Sequence, residues 1–327
     1  MEFAFSEEQQ ELAATVRSLL AKRADSAAVR AAMTSERGYD DELWLTLCEQ
    51  IGATALAVPE EYDGAGFSLL ESMIVLEEVG RSLAPSPLLS SLVTAEALLA
   101  GGTEEAKRRL LPRIAAGEVA AYAVPGEPTL FADRATVLVA ATDDGLVELD
   151  PASSDATWLP SMDQTIRFAS LDLTGGTPIG DGAVARARSE LVGAVGVAAL
   201  STGLSAQALD MTVAHTKERV QFGRPIGSFQ ALKHRMADLL VLVEMSRSAS
   251  WAASYALATD APNAEQLAHV AKSYCSDALN KIAAETVQLH GGIAITWEHD
   301  AQLVFKRAHA LAQLFGQPHR HRALIAL

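Results

Sequence analysis

Arg219-Val-Gln-Phe222-Gly223-Arg-Pro-Ile-Gly-Ser-Phe-Gln230-Ala-Leu-Lys-His234 and, downstream, Gln288-Leu-His-Gly291-Gly292-Ile-Ala-Ile-Thr-Trp-Glu-His-Asp300 are the two segments that organise this chain. Each is a Gly-containing break between stretches with apolar residues at helical spacing, and the first also carries Pro225. Those stretches run over about 190–219, 228–258, 264–289 and 298–315, long segments with short connections, which predicts an antiparallel helical bundle. Ala, Gly and Ser are frequent within them, so the helices are expected to pack closely. Taken alone, 222–225 and 290–292 also suit plain interhelical turns, in which Gly ends one helix and Pro delays the next.

Upstream of the bundle the pattern changes. From about 119 to 187 the residues favour strands and turns: Ala135-Thr-Val-Leu-Val-Ala140, Leu146-Val-Glu-Leu149 and Ile166-Arg-Phe-Ala-Ser-Leu171, with Asp143-Asp-Gly145 as a hairpin signal and Gly175-Gly176, Pro178 and Gly180 as breakers. Before that, helical stripes return. Ser6 reads as an N-cap ahead of Leu12, Val16, Leu19 and Leu20, and further stripes cover 43–51, 69–79 and 104–115. The loop at 58–67, with Gly64 and Gly66, reads as a turn rather than a phosphate cradle, because no strand precedes it and no lysine follows. The expected class is α+β, mainly α: an N-terminal helical domain at 1–118, a small middle β domain at 119–187 and a C-terminal helical bundle at 188–327.

A chain of 327 residues with 49% hydrophobic residues buries a full core. Its net charge of −15 opposes binding to a polyanion, so nucleic-acid recognition is not expected. Cys48 and Cys275 are far apart and form no CxxC pair, which predicts reduced core thiols. No signal-like leader opens the sequence, and the longest apolar run, 191–200, falls short of a membrane span, so a cytoplasmic protein is expected.

With both Gly-containing segments in this order, and with helices, β module and bundle in succession, the chain resembles the acyl-CoA dehydrogenase family over nearly its whole length. In that family the Arg-x-x-Phe-Gly loop and the Gln-x-x-Gly-Gly turn hold the adenine diphosphate part of FAD across a subunit interface. The resemblance implies those roles for Arg219, Phe222, Gly223, Gln230, Gln288, Gly291 and Gly292. The chemistry agrees: a guanidinium pairs with pyrophosphate, an aromatic ring packs on adenine, and glycines let backbone N–H groups approach phosphate oxygens.

The resemblance also marks what is missing. Family members remove the α-proton of an acyl-CoA with a glutamate while hydride passes from the β-carbon to the flavin, so a base is indispensable. The usual glutamate, in a turn after the last long helix, corresponds here to Gly316. The alternative position on the first bundle helix corresponds to Gly193, beside Ala194. Glu190, three residues earlier, is a weak alternative base and reads better as an acidic residue near a helix start. The middle module runs from Ala121-Tyr-Ala-Val-Pro125-Gly-Glu-Pro-Thr-Leu130 directly to Ala135, without the segments that contact the flavin ring. No metal site is expected: His319-Arg-His321-Arg reads as a solvated basic tail. Ser201, Asp210 and His215 lack the turn context of a nucleophile triad.

The chain therefore resembles the short subunits of actinobacterial heterotetrameric acyl-CoA dehydrogenases that act on steroid side chains. The resemblance implies an FAD-dependent α,β-dehydrogenation of an acyl-CoA, shared with a full-length acyl-CoA dehydrogenase subunit that carries the glutamate, with electron-transfer flavoprotein as acceptor. The alternatives are a self-sufficient homotetramer with an atypical base and a non-catalytic structural or CoA-ester-binding relative.

Overall fold

A computed structural model describes residues 4–325 and is mainly helical with small sheets, as expected. Contacts divide it into two compact units: one holds residues up to 76 together with 84–193, the other holds 77–83 with residues from 194 onward.

The first unit opens with α1 (Glu7–Arg23), α2 (Ser26–Thr34), α3 (Asp41–Glu49), most of α4 (Leu69–Ser82), α5 (Leu88–Gly101) and α6 (Glu104–Ala115). Ser6 caps α1 through a capping box with Gln9, and Asp25, Asp40 and Thr103 cap α2, α3 and α6. Each cap satisfies an orphan N–H that would otherwise need water. The strands follow: β1 (Ala120–Ala123), β2 (Thr129–Leu130), β3 (Val137–Thr142), β4 (Gly145–Leu149), β5 (Thr157–Leu159), β6 (Phe168–Ser170) and β7 (Thr177–Gly180). They form a sheet of order β1-β3-β4-β7 and a smaller one of order β2-β6-β5. The expected hairpin is β3–β4, with Gly145 at φ +114° where only glycine is comfortable. Leu98, Leu110, Leu111 and Ile114 on the helices and Val137, Val139 and Leu146 on the sheet form one buried cluster.

The bundle begins earlier than the periodicity suggests. Helix α7 spans Gly182–Glu218, starting eight residues before Glu190, because the Asp181 carboxylate accepts the N–H groups of Ala183 and Val184 and so supplies a cap that the glycine-rich approach conceals. Glu190 therefore does not sit at a helix start. It lies in mid-helix and accepts a hydrogen bond from Arg186 at 2.9 Å. By length and composition α7 is apolar enough to cross a membrane, but 89% of its most apolar window is buried inside the fold, as in a core helix.

In the second unit the end of α4 crosses α7 at two glycines. A Cβ on Gly203 would lie 1.8 Å from the Glu77 carbonyl oxygen, and one on Gly80 would lie 2.2 Å from that of Leu200. Helix α8 (Gln230–Ala258) runs antiparallel to α9 (Ala264–His290): Arg235 donates to Glu285 near one end, and the Cys275 thiol donates to the Ser246 carbonyl further along. Thr212 and Thr286, 3.1 Å apart, tie α7 to α9 in parallel, and α10 (Ala301–Gln313) returns beside α9 ahead of the short α11 (Pro318–Ala323). The four long helices thus alternate in direction, the expected bundle. Both cysteines are free and buried, and burial raises Cys48 to about 11 and Cys275 to about 12, so neither is a thiolate near neutral pH.

The bundle core holds a fully buried lysine. Lys272 on α9 has no exposed surface, and its Nζ donates to Ser276 Oγ and to the carbonyls of Leu311 and Ala312 at the end of α10. A cation suits a helix C-terminus, yet burial lowers its pKa to about 8. The native state holds this proton less tightly than the unfolded chain. Its penalty is therefore full below pH 8 and fades as pH rises towards the unfolded value. Relative to Lys272→Met, the wild-type protein should gain about 2 kcal/mol of stability between about pH 7 and pH 9.5. Denaturant unfolding of both proteins at the two pH values tests this, and parallel behaviour would contradict it.

Candidate flavin-contact surface

Between α7 and α8 the chain makes a small hairpin, β8 (Val220–Gln221) and β9 (Arg224–Pro225), in place of a plain interhelical turn. Its tip is Phe222-Gly223, with φ of +54° and +76°. Positive φ at both central residues is the backbone demanded by a tight two-residue hairpin, and the right-handed strand twist selects it. Glycine adopts it freely. Phenylalanine does not, and Phe222 is also 93% exposed. The base of the loop is closed by Ile226 N–H donating to Arg219 O at 2.8 Å, and Arg224 lies over the Phe229 ring.

The second turn follows α9. Gly291 takes φ +66°, ends the helix and donates its N–H to Val287 O, and Gly292 starts the next turn. A Cβ at Gly223, Gly291 or Gly292 would meet nothing within 4 Å. Packing within the chain does not fill these positions, and the backbone there is open to an incoming phosphate-bearing group. Arg219, Phe222, Gly223, Gln230, Gln288, Gly291 and Gly292 are all exposed.

The two turns meet through residues that the sequence reading did not group. His215, one helical turn before Arg219, stacks on His290 with ring centroids 4.3 Å apart, and His299 lies 4.6 Å from His290. His290 donates from Nδ1 to Thr286 O. Burial lowers the pKa of both His215 and His290; His299 and Arg219 add to the effect on His215, while His290 keeps a partly offsetting bond to Thr286 O. At the same end of the bundle Arg235 and Glu285 join the first turns of α8, which begins at Gln230, to the last turns of α9, which carry Gln288. Three histidines flanking the two motifs were the available signal, but imidazoles so far apart in sequence gave no spacing to read.

The positions where a base is expected lie elsewhere. Gly193 is a buried residue within α7. Gly316 has φ +94°, and a Cβ there would approach His321 Nε2 to 2.8 Å. His321 is not solvated, contrary to the expectation for the 319–322 tail. Proline at the first position of α11 turns the chain back onto the bundle, so that His321 is buried, donates from Nε2 to Phe315 O at 2.7 Å and faces His269 with the Nδ1 atoms 2.9 Å apart. Among the described residues no cluster of three or more His, Cys, Asp or Glu is arranged to hold a metal. Asp210 pairs with Arg81 at 2.5 Å, and Ser201 lies about 21 Å along the helix from His215, so these residues form no triad. In the first unit β1 turns tightly, Glu127 N–H donating to Val124 O, and leads straight into β2.

Two family models match the chain: the acyl-CoA dehydrogenase N-terminal domain at residues 6–118 and the acyl-CoA dehydrogenase C-terminal domain at residues 180–327. The chain is 44% identical over 313 residues to the acyl-CoA dehydrogenase IpdE2 of Mycolicibacterium smegmatis, covering 96% of each. It is 46% identical to IpdE2 of Mycobacterium tuberculosis, covering 95% of this chain and 94% of that one. Among solved structures it resembles a chain of the Tcur3481-Tcur3483 steroid ACAD variant, with TM-score 0.87, 28% identity and coverage of 98% and 96%. It also resembles a chain of the ChsE4-ChsE5 complex from Mycobacterium tuberculosis, with TM-score 0.87, 25% identity and coverage of 99% and 98%.

Proposed function

Because the chain belongs to the acyl-CoA dehydrogenase family, FAD-dependent oxidoreductases acting on acyl-CoA, we propose that it is the non-basic subunit of a heteromeric member. In this reading it lends Arg219, Phe222, Gly223, Gln230, Gln288, Gly291 and Gly292 to the adenine diphosphate half of an FAD site. A full-length partner supplies the flavin-ring pocket and the glutamate that removes the α-proton of the acyl-CoA. When bound, the flavin accepts hydride from the β-carbon, and an electron-transfer flavoprotein is the proposed acceptor.

The observation that carries this reading is Gly316. Its backbone is left-handed and the space beside it is taken by His321, in a chain whose flavin-facing turns stay open. Glu190 is a poor substitute base, since it is exposed and bonded to Arg186. Apolar side chains left uncovered next to the turns, Val220, Phe222, Ile295 and Trp297, and others on α8, Leu240, Val241 and Met245, suit burial by other subunits. Likeness to the Tcur3481-Tcur3483 steroid ACAD favours a steroid-derived acyl group and an assembly of two different subunits.

Expression of the chain alone should give colourless protein without acyl-CoA dehydrogenase activity, and co-expression with its full-length partner should give a yellow, active complex. Yellow, active protein from the chain alone would overturn the reading. Phe222 supplies a second test. Replacing a left-handed, exposed phenylalanine by glycine relieves about 1 kcal/mol of backbone strain. Phe222→Gly should therefore stabilise the isolated chain while weakening FAD retention in the complex, and a drop in both would contradict an outward-facing, ligand-directed ring.

A further inference from the structure

His290 is buried, its Nδ1–H is committed to Thr286 O, and its Nε2 makes no hydrogen bond of normal geometry, although the Met211 backbone also favours the protonated ring. A buried polar atom left unsatisfied is costly and calls for an explanation. With Nδ1 already protonated, the only place a further proton can add is Nε2. That atom belongs to a ring that stacks on His215, one helical turn before Arg219, and meets His299 at a tilt, the three rings forming a triangle with His215 and His299 6.4 Å apart, and the next two residues are Gly291 and Gly292. Three imidazoles thus join the guanidinium-bearing loop to the open glycine turn. The charged groups facing the stack are Arg219, which opposes a further positive charge, and Glu218, which favours one; Glu298 and Asp300 flank His299 along the chain.

Resting on the flavin reading above, we propose that the His215–His290–His299 stack is a proton-accepting wall of the phosphate site: a phosphate-bearing ligand held at Arg219 and Gly291–Gly292 binds together with a proton taken from solvent onto the stack, at His290 Nε2. Without ligand, burial, His299 and Arg219 favour the neutral form of His215, and burial and His215 favour the neutral form of His290. A pyrophosphate beside Arg219 reverses the balance. A negative charge within about 7 Å raises a neighbour's proton affinity more than tenfold at an effective dielectric near 20. The proton adds as an N–H bond, no other bond changes, and the ligand's charge is partly neutralised inside the site.

The test is calorimetric titration of FAD into the flavin-stripped complex of this chain with its partner, at about pH 7, in HEPES and in Tris, whose ionisation enthalpies differ. The pyrophosphate diester of FAD does not itself titrate there. The expected result is uptake of between about half and one proton per FAD, with affinity falling as pH rises from about 6 to 8. His290→Gln, whose amide can still donate to Thr286 O, should abolish the uptake. If that variant fails to fold, His215→Gln combined with His299→Gln, at partly exposed positions, should reduce the uptake by half or more. FAD binding without buffer dependence, or uptake unchanged in these variants, overturns the proposal and leaves the flavin reading standing. FAD binding that is equally tight in Arg219→Ala overturns both.

Discussion

A complex carrying Arg219→Ala in this chain should bind FAD about 10- to 100-fold more weakly and lose colour on gel filtration, with its subunits still associated. A charge-assisted, bidentate bond between guanidinium and pyrophosphate contributes about 1.5–3 kcal/mol, which is the size of that loss. The fold should not suffer. Arg219 acts in its own chain through its backbone, whose N–H donates to His215 O and whose carbonyl accepts from Ile226, while its side chain is exposed. Arg219→Lys should recover only part of the affinity, since an ammonium cannot make the two parallel bonds. Flavin content and unfolding midpoint measured together separate the cases: loss of both would mean a structural role, and unchanged flavin would remove Arg219 from the site.

Gly316→Glu, which places a carboxylate at the position proposed to correspond to the family's base, should destabilise the chain by about 4 kcal/mol and confer no dehydrogenase activity. Two costs add. A non-glycine residue at φ +94° is strained, and its Cβ would crowd His321 Nε2 at 2.8 Å. For the ring to yield, the bond to Phe315 O must break, which leaves a buried imidazole and a carbonyl unsatisfied. Gly316→Ala should show most of the destabilisation, because strain and overlap begin at Cβ, and adding His321→Ala to Gly316→Glu should relieve the overlap but not the strain. An active and stable Gly316→Glu variant would mean that this turn is a catalytic site merely lacking its carboxylate. The structure instead gives it to His321 and His269.

Much of this was legible in the sequence, because long amphipathic helices and glycine punctuation are local signals. The alternating bundle, the β3–β4 hairpin and the exposed Phe222-Gly223 tip follow from residues close together in the chain. What escaped was set by contacts distant in sequence. Asp181 reads as a loop residue until its carboxylate is seen on the N–H groups of Ala183 and Val184, so periodicity alone starts α7 too late and lends Glu190 a helix-start role it lacks. His321 reads as part of a solvated basic tail because nothing nearby announces His269 as its partner. Similarly, His215, His290 and His299 converge only when α7, α9 and the start of α10 are packed together. Lys272 gives no warning at all: a lysine in an apolar stripe normally places its ammonium in water, and the buried carbonyls that end α10, with Ser276 Oγ, explain its burial.

The most direct test of a shared flavin site is native mass spectrometry of the complex purified after co-expression with the full-length partner. The account predicts an assembly with this chain and the partner in equal numbers, one FAD for each pair, and no FAD on the chain alone. An assembly of this chain only, carrying one FAD per copy, would contradict it.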